Sequence, residues 1–132
     1  MIAPLRGCPY QCTFCTSQTY YGSKLRSKRV QLVIDEIKFN QTEYNIHYYL
    51  FWAETFILDP QYITDLCHDM IENDLNIKWV SNSRTDMLDP KMYKLMANAG
   101  CIMMSFGIES GSQKVLDLAK KSSTLENTEK SI

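Results

Sequence analysis

Apolar residues recur at helical spacing in several stretches of the chain. After Asp59-Pro60 come Tyr62, Ile63, Leu66, Met70 and Ile71, and after Asp89-Pro90 come Met92, Tyr93, Leu95, Met96 and Ala99. Each set falls on one face of a helix of about a dozen residues. Both dipeptides are start signals, because Asp at the N-cap accepts a backbone N–H and Pro at the first helical position has no N–H to leave unpaired. Gly100 stands where a helix ends. An earlier helix is predicted from near Ser27 through Val30, Val33, Ile34, Ile37 and Phe39. A later one starts near Ser112 and runs through Val115, Leu116 and Leu118, and a fifth can begin within Thr124 to Ile132.

Between the helices lie short apolar runs, Tyr48 to Trp52, Ile77 to Val80 and Ile102 to Ile108. They are too short for helices and rich in aromatic and branched side chains, so they read as buried strands. Met1 to Leu5 is the matching first strand. Strand and helix then alternate about four times with no hairpin between neighbours, which predicts an α/β fold with a parallel sheet. A full eight-unit barrel takes roughly 250 residues, so a chain of this length holds about four such units. Sites in these folds gather at the C-terminal strand ends. Here those ends are Arg6 to Cys15, Ala53 to Phe56, Ser81 to Asp86 and Gly107 to Ser112, where the polar and unusual residues sit.

The composition, 45% hydrophobic and 22% charged over 132 residues, suits one ordinary folded domain and argues against disorder. The net charge is -1 but unevenly laid out. Residues 1–30 hold Arg6, Lys24, Arg26, Lys28 and Arg29 and no acid, leaving nine basic and fifteen acidic residues for the remainder. So short a basic stretch reads first as a solvated face, with support for thiolates or an anionic cofactor as the other use. It is a poor basis for nucleic-acid binding. No apolar run is long enough to span a membrane, and Met1 to Arg6 lacks the order of a signal peptide, so a cytoplasmic chain is expected. Five cysteines, three of them within eight positions, do not fit a disulfide framework.

Those three are Cys8, Cys12 and Cys15, in Arg6-Gly7-Cys8-Pro9-Tyr10-Gln11-Cys12-Thr13-Phe14-Cys15. Thiolates are the usual ligands of iron–sulfur clusters, and a set of three leaves one iron open to a small molecule. A closed zinc site needs a fourth ligand, and the candidates, Cys67, His68 and Cys101, lie on or beside predicted helices.

The Cys-x3-Cys-x2-Cys spacing with an aromatic before the last cysteine resembles the radical S-adenosylmethionine superfamily. The Arg-Gly before it and Pro-Tyr within it resemble the subgroup associated with cobalamin-binding domains. The resemblance runs from Arg6 to about Lys120. It implies a truncated (βα) partial TIM-type barrel, about four parallel strand–helix units of a six-unit core, with the last two units and any cobalamin domain outside the chain. It further implies a 4Fe-4S cluster on Cys8, Cys12 and Cys15, with S-adenosylmethionine on the open iron and Phe14 along the adenine. The implied reaction is reductive cleavage of that cofactor to a 5'-deoxyadenosyl radical, fed by a reductant such as flavodoxin or ferredoxin. The substrate, small molecule or peptide, is not readable, and an isolated piece of the core is expected to be inactive. Methyl transfer with cobalamin and tetrapyrrole cyclisation both occur in the subgroup. Methylthiotransferases and oxygen-independent coproporphyrinogen oxidases share the loop. A non-catalytic iron–sulfur or zinc module is the alternative from another class.

At the other strand ends, the resemblance makes Glu54 the carboxylate for the methionyl amine, although Ala53 replaces a second acid often found there. A solvent-exposed loop Glu is the plain alternative. Glu109 and Ser110, in Gly107-Ile108-Glu109-Ser110-Gly111-Ser112, resemble the ribose-contacting segment, while Ser112 also suits an N-cap. Arg84 has the planar fork for a carboxylate of cofactor or substrate, or for a structural ion pair with Asp86. Asn82 and Ser83 share its strand end. Met70, Met87, Met92, Met96, Met103 and Met104 read as core filling, Cys67 and Cys101 as buried thiols, and His47 and His68 as surface residues.

Overall fold

The computed structural model describes residues 1–87 and 89–131. Three strands, β3 (Tyr48–Leu50), β4 (Lys78–Ser83) and β5 (Cys101–Phe106), form a parallel sheet in the order β3-β4-β5. The chain start joins its free side: Ile2 bridges Phe51 in parallel, with Ile2 N–H donating to Leu50 O at 2.9 Å and Trp52 N–H to Ile2 O at 2.8 Å. The expected first strand is therefore a single bridge. Beyond it, β1 (Leu5–Arg6) turns to pair antiparallel with β2 (Arg26–Ser27). Among the described residues that pairing is the one departure from a purely parallel layout, and a ladder two residues long leaves no alternation to read.

The helices are α1 (Ser17–Tyr21), α2 (Val30–Tyr44), α3 (Pro60–Glu72), α4 (Pro90–Asn98), α5 (Gln113–Leu118) and α6 (Leu125–Lys130). The short α1 has no buried side chain, which is why no apolar periodicity announced it. Helix α2 starts three residues later than expected because Ser27 belongs to the β2 ladder and Lys28 N–H is held by Pro4 O at 2.8 Å. The caps of α3 and α4 form as read: Asp59 Oδ1 accepts from Tyr62 N–H at 3.1 Å and Asp89 Oδ1 from Lys91 N–H at 2.9 Å. Ser112 precedes α5 without a side-chain cap bond. Of the expected fifth helix, Ile132 lies outside the described residues.

Val33, Ile34 and Ile37 from α2, and Tyr62, Ile63, Leu66, Cys67 and Met70 from α3, cover the sheet. Beneath them Phe51, Phe56 and Trp79 stack with centroids 5.0 to 6.0 Å apart. Trp79 is fully buried, its indole N–H satisfied by Ala99 O at 2.8 Å. Gly100 ends α4 at φ +94°, and a Cβ there would collide with the Ile77 carbonyl.

Strand β5 departs from the reading of a buried strand. Trp79 pairs with Cys101 and Val80 with Met103, so Ile102 is left over as a bulge. Ile102 and Met103 are 57% and 58% exposed, because no described strand lies on the far side of β5. Met103 is thus not core filling, whereas Met70 and Met96 are buried and Met87, Met92 and Met104 pack against the core. Cys67 is buried, Cys101 half-buried, and His47 and His68 exposed.

Candidate functional site

The C-terminal ends of the chain start, β3, β4 and β5 surround one cavity of about 300 Å³. Cys8, Cys12 and Cys15 all line it. Their loop is pinned to two other parts of the molecule and once to itself: Cys8 N–H donates to Gly22 O at 3.2 Å, Thr13 N–H to Ala119 O at 3.0 Å, and, within the loop, Cys15 N–H to Cys12 O at 3.1 Å. Gly7 opens the loop at φ +94°, with the Lys24 carbonyl where a Cβ would stand, so the segment leading into β2 can lie directly against the loop's first residues. Cys8 is buried, with Thr55 Oγ1 4.0 Å from its sulfur, and Cys15 is exposed. Among the described residues no three His, Cys, Asp or Glu side chains converge as the ligands of one metal ion do. A cuboidal cluster asks for something else, three thiols spread around a cavity so that each meets a different iron.

Glu54 reaches the cavity from the end of β3. Its Oε2 accepts from Gly7 N–H at 2.7 Å, which ties this strand end to the cysteine loop, while Oε1 is buried with no partner. The exposed loop carboxylate considered above is not what the fold builds.

Arg84 follows β4 and is 4% exposed. Its fork is spent on Asp86, with Nε 2.9 Å from Oδ1 and Nη2 2.6 Å from Oδ2. Of its two readings, the structure shows the ion pair, although Arg84 still lines the cavity. The guanidinium carbon also lies 3.7 Å from the centre of the Tyr10 ring. Burial works against the cation, but the hydrogen bonds and charge of Asp86, helped by Tyr10 and Cys12, outweigh it and raise its pKa. Asn82 and Ser83 line the cavity too, and both anchor neighbours: Asn82 Nδ2 donates to Ala53 O at 3.0 Å, and Ser83 Oγ accepts from Ile57 N–H at 3.3 Å.

From the end of β5, Glu109 lines the cavity and accepts from Lys121 Nζ at 3.1 Å. Lys121 is buried and lies 5.8 Å from the centre of the Phe14 ring. Gly107 makes room for this pair, since a Cβ there would sit 2.5 Å from Glu109 Oε1 and 3.0 Å from Lys121 Nζ. Phe14 is half-exposed at the mouth. Ser110 is outside the cavity lining, and its hydroxyl accepts from Ser112 N–H at 3.1 Å, closing the loop before α5. Seven of the eight residues singled out in the sequence thus share one cavity. The contacts of Lys121, Thr55 and the Tyr10–Arg84 stack were not anticipated; Tyr10, Thr55 and Arg84 lie in the strand-end segments named from the sequence, whereas Lys121 lies outside all of them.

A family model described as the radical SAM superfamily matches residues 2–132. The chain belongs to the radical SAM superfamily. Within it, the chain is 34% identical over 124 residues to an uncharacterized methyltransferase of Pyrococcus horikoshii, covering 94% of this chain and 27% of the relative. It is 35% identical over 126 residues to the cytidylyl-2-hydroxyethylphosphonate methyltransferase of Streptomyces wedmorensis, covering 93% and 23%. It is 32% identical over 129 residues to the anaerobic magnesium-protoporphyrin IX monomethyl ester cyclase of Rubrivivax gelatinosus, covering 96% and 23%. The chain spans about a quarter of the length of these curated relatives. Among solved structures, the radical S-adenosylmethionine methyltransferase TsrM of Kitasatospora setae, with cobalamin and a 4Fe-4S cluster bound, superposes with a TM-score of 0.87 at 18% identity. The match covers 97% of this chain and 27% of that one. The α/β architecture is accordingly part of a radical SAM partial barrel.

Proposed function

We propose that Cys8, Cys12 and Cys15 hold a 4Fe-4S cluster whose open iron binds S-adenosylmethionine in the cavity, and that the longer protein carries out cobalamin-associated radical SAM chemistry. The observation that carries this reading is the company kept by the unpartnered, buried Glu54 Oε1, on the same cavity as the three thiols. A buried carboxylate oxygen without a donor is costly, and an ammonium group offers it one. Glu54 would therefore orient the methionyl amine, Glu109 a ribose hydroxyl, and Phe14 would cover the adenine at the cavity mouth. Lys121, on the cavity wall and paired with Glu109, offers positive charge to the cofactor carboxylate. When bound, the cluster supplies the electron that splits the sulfonium into methionine and a 5'-deoxyadenosyl radical. The protein's part is to hold and shield these groups. Methyl transfer is the reaction class favoured for the whole protein, since three of its relatives carry methyltransferase in their names.

The test is anaerobic iron–sulfide reconstitution followed by EPR of the reduced protein with and without S-adenosylmethionine. Cys8→Ala, Cys12→Ala and Cys15→Ala should each abolish cluster uptake, while Cys67→Ala and Cys101→Ala should retain it. Equal loss in all five, zinc uptake instead of a cluster, or a signal indifferent to the cofactor overturns the proposal.

A further inference from the structure

Tyr10 lies two residues after Cys8 and two before Cys12, in the middle of the cysteine loop. Its backbone carbonyl is held by Gln18 Nε2 at 2.7 Å, and its ring packs at 3.7 Å on the guanidinium of Arg84. That contact is well inside the range of cation–π stacking. Arg84 cannot swing away, because both oxygens of Asp86 grip it and the pair is almost wholly buried. The pair also has a direction. Arg84 lines the cysteine cavity, whereas Asp86 opens on a separate small pocket with Asn127, Lys130 and Ser131. The cationic end faces the thiols and the anionic end faces away.

We propose that Arg84 is a positioning residue for the cysteine loop: clamped by Asp86, it fixes Tyr10 and sets a permanent positive charge beside the loop, raising the reduction potential of the cluster held there. The inference rests on the cluster reading above for its redox half, while the clamp stands on geometry alone. A guanidinium does not lose its proton in a protein, so the charge is constant with pH. Reduction adds an electron from an external donor to an anionic cluster, and a fixed cation favours that product over the oxidised form. Net charge around a cluster is one of the settings of its potential.

Two measurements test it. In the metal-free full chain, hydrogen exchange at residues 8–15 should speed up in Tyr10→Leu and Arg84→Lys, each of which removes the planar stack, while β4 keeps its protection. Unchanged exchange in both variants overturns the clamp. In the reconstituted chain, a dithionite titration followed by EPR should give a more negative midpoint for Arg84→Gln than for wild type. Arg84→Lys, which keeps the charge, should stay closer to wild type. An Arg84→Gln midpoint equal to or above wild type overturns the electrostatic role. Should Arg84→Gln fail to fold by circular dichroism, Asp86→Asn replaces it: removing the opposing carboxylate should move the midpoint positive, and no movement overturns the role. A wild-type chain that takes up no cluster defeats the cluster reading and the redox half together, and leaves the exchange result to decide the clamp.

Discussion

Glu54 bears an uneven load: Oε2 receives the Gly7 amide, and the buried Oε1 receives nothing. A hydrogen bond to a charged group is worth about 1.5 to 3 kcal/mol, so Glu54→Ala should weaken S-adenosylmethionine binding roughly tenfold or more and leave cluster uptake intact. Calorimetry on the reconstituted protein reads this directly, and unchanged affinity would remove Glu54 from the site. The thiols of α3 and β5 carry a second expectation. Burial pushes Cys67 from 9.0 to about 12, with Cys101 adding, and burial likewise pushes Cys101 to about 11. Both groups are held protonated in the folded chain, so between pH 9 and these raised values the unfolded chain has released protons that the folded one retains. Stability should fall across that window, and Cys67→Ala should flatten the fall in chemical denaturation at pH 8 and pH 11. An equal slope in the variant would acquit Cys67. At this scale, what was legible is that residues in or beside a motif meet on one cavity, as Cys8, Glu54 and Glu109 do. Lys121 was not, because in sequence it is indistinguishable from Lys120, and only the turn after α5, with Lys120 at φ +51°, buries one and exposes the other.

Among the elements, the two Asp-Pro starts were the most readable, because a cap is a local interaction written in adjacent residues. Asp59→Ala and Asp89→Ala should each cost about 1 kcal/mol, measured as a lowered midpoint in thermal or urea unfolding. Asp59 is the better test, since α3 covers the core with five buried side chains whereas α4 buries one. No change at either position would mean that packing alone sets those helix starts. The elements that escaped reading are the ones without a buried stripe or an alternating run. Helix α1 buries nothing, and β1 and β2 are two residues each, held by Gly7 at positive φ and by the wrap of residues 22–26 around the cysteine loop. That wrap depends on contacts distant in the chain, which periodicity does not encode.

Over the whole molecule, the parallel order brings four strand ends onto one rim, and this is why residues spread from Cys8 to Lys121 share a single cavity. The same order leaves β5 as an edge with Ile102 and Met103 bare. Exposed apolar edges invite pairing with another chain, so this chain alone should self-associate, and Ile102→Lys should suppress that association in light scattering. Scattering unchanged by the charge would place the contact elsewhere. The alternation of strands and helices was legible because each unit repeats the same pattern. The idle side of β5 was not, since an apolar run reads alike whether or not a neighbour covers it. One further property follows from the aromatic stack under the sheet. The chain has two tryptophans, Trp79 sealed among Phe51 and Phe56 and Trp52 41% exposed near the rim. Their fluorescence should separate by colour, Trp79 emitting in the blue and beyond the reach of iodide, Trp52 redder and quenched by it. The molecule therefore carries its own pair of optical gauges, one for the integrity of the interior and one for events at the cavity's edge, with no label attached.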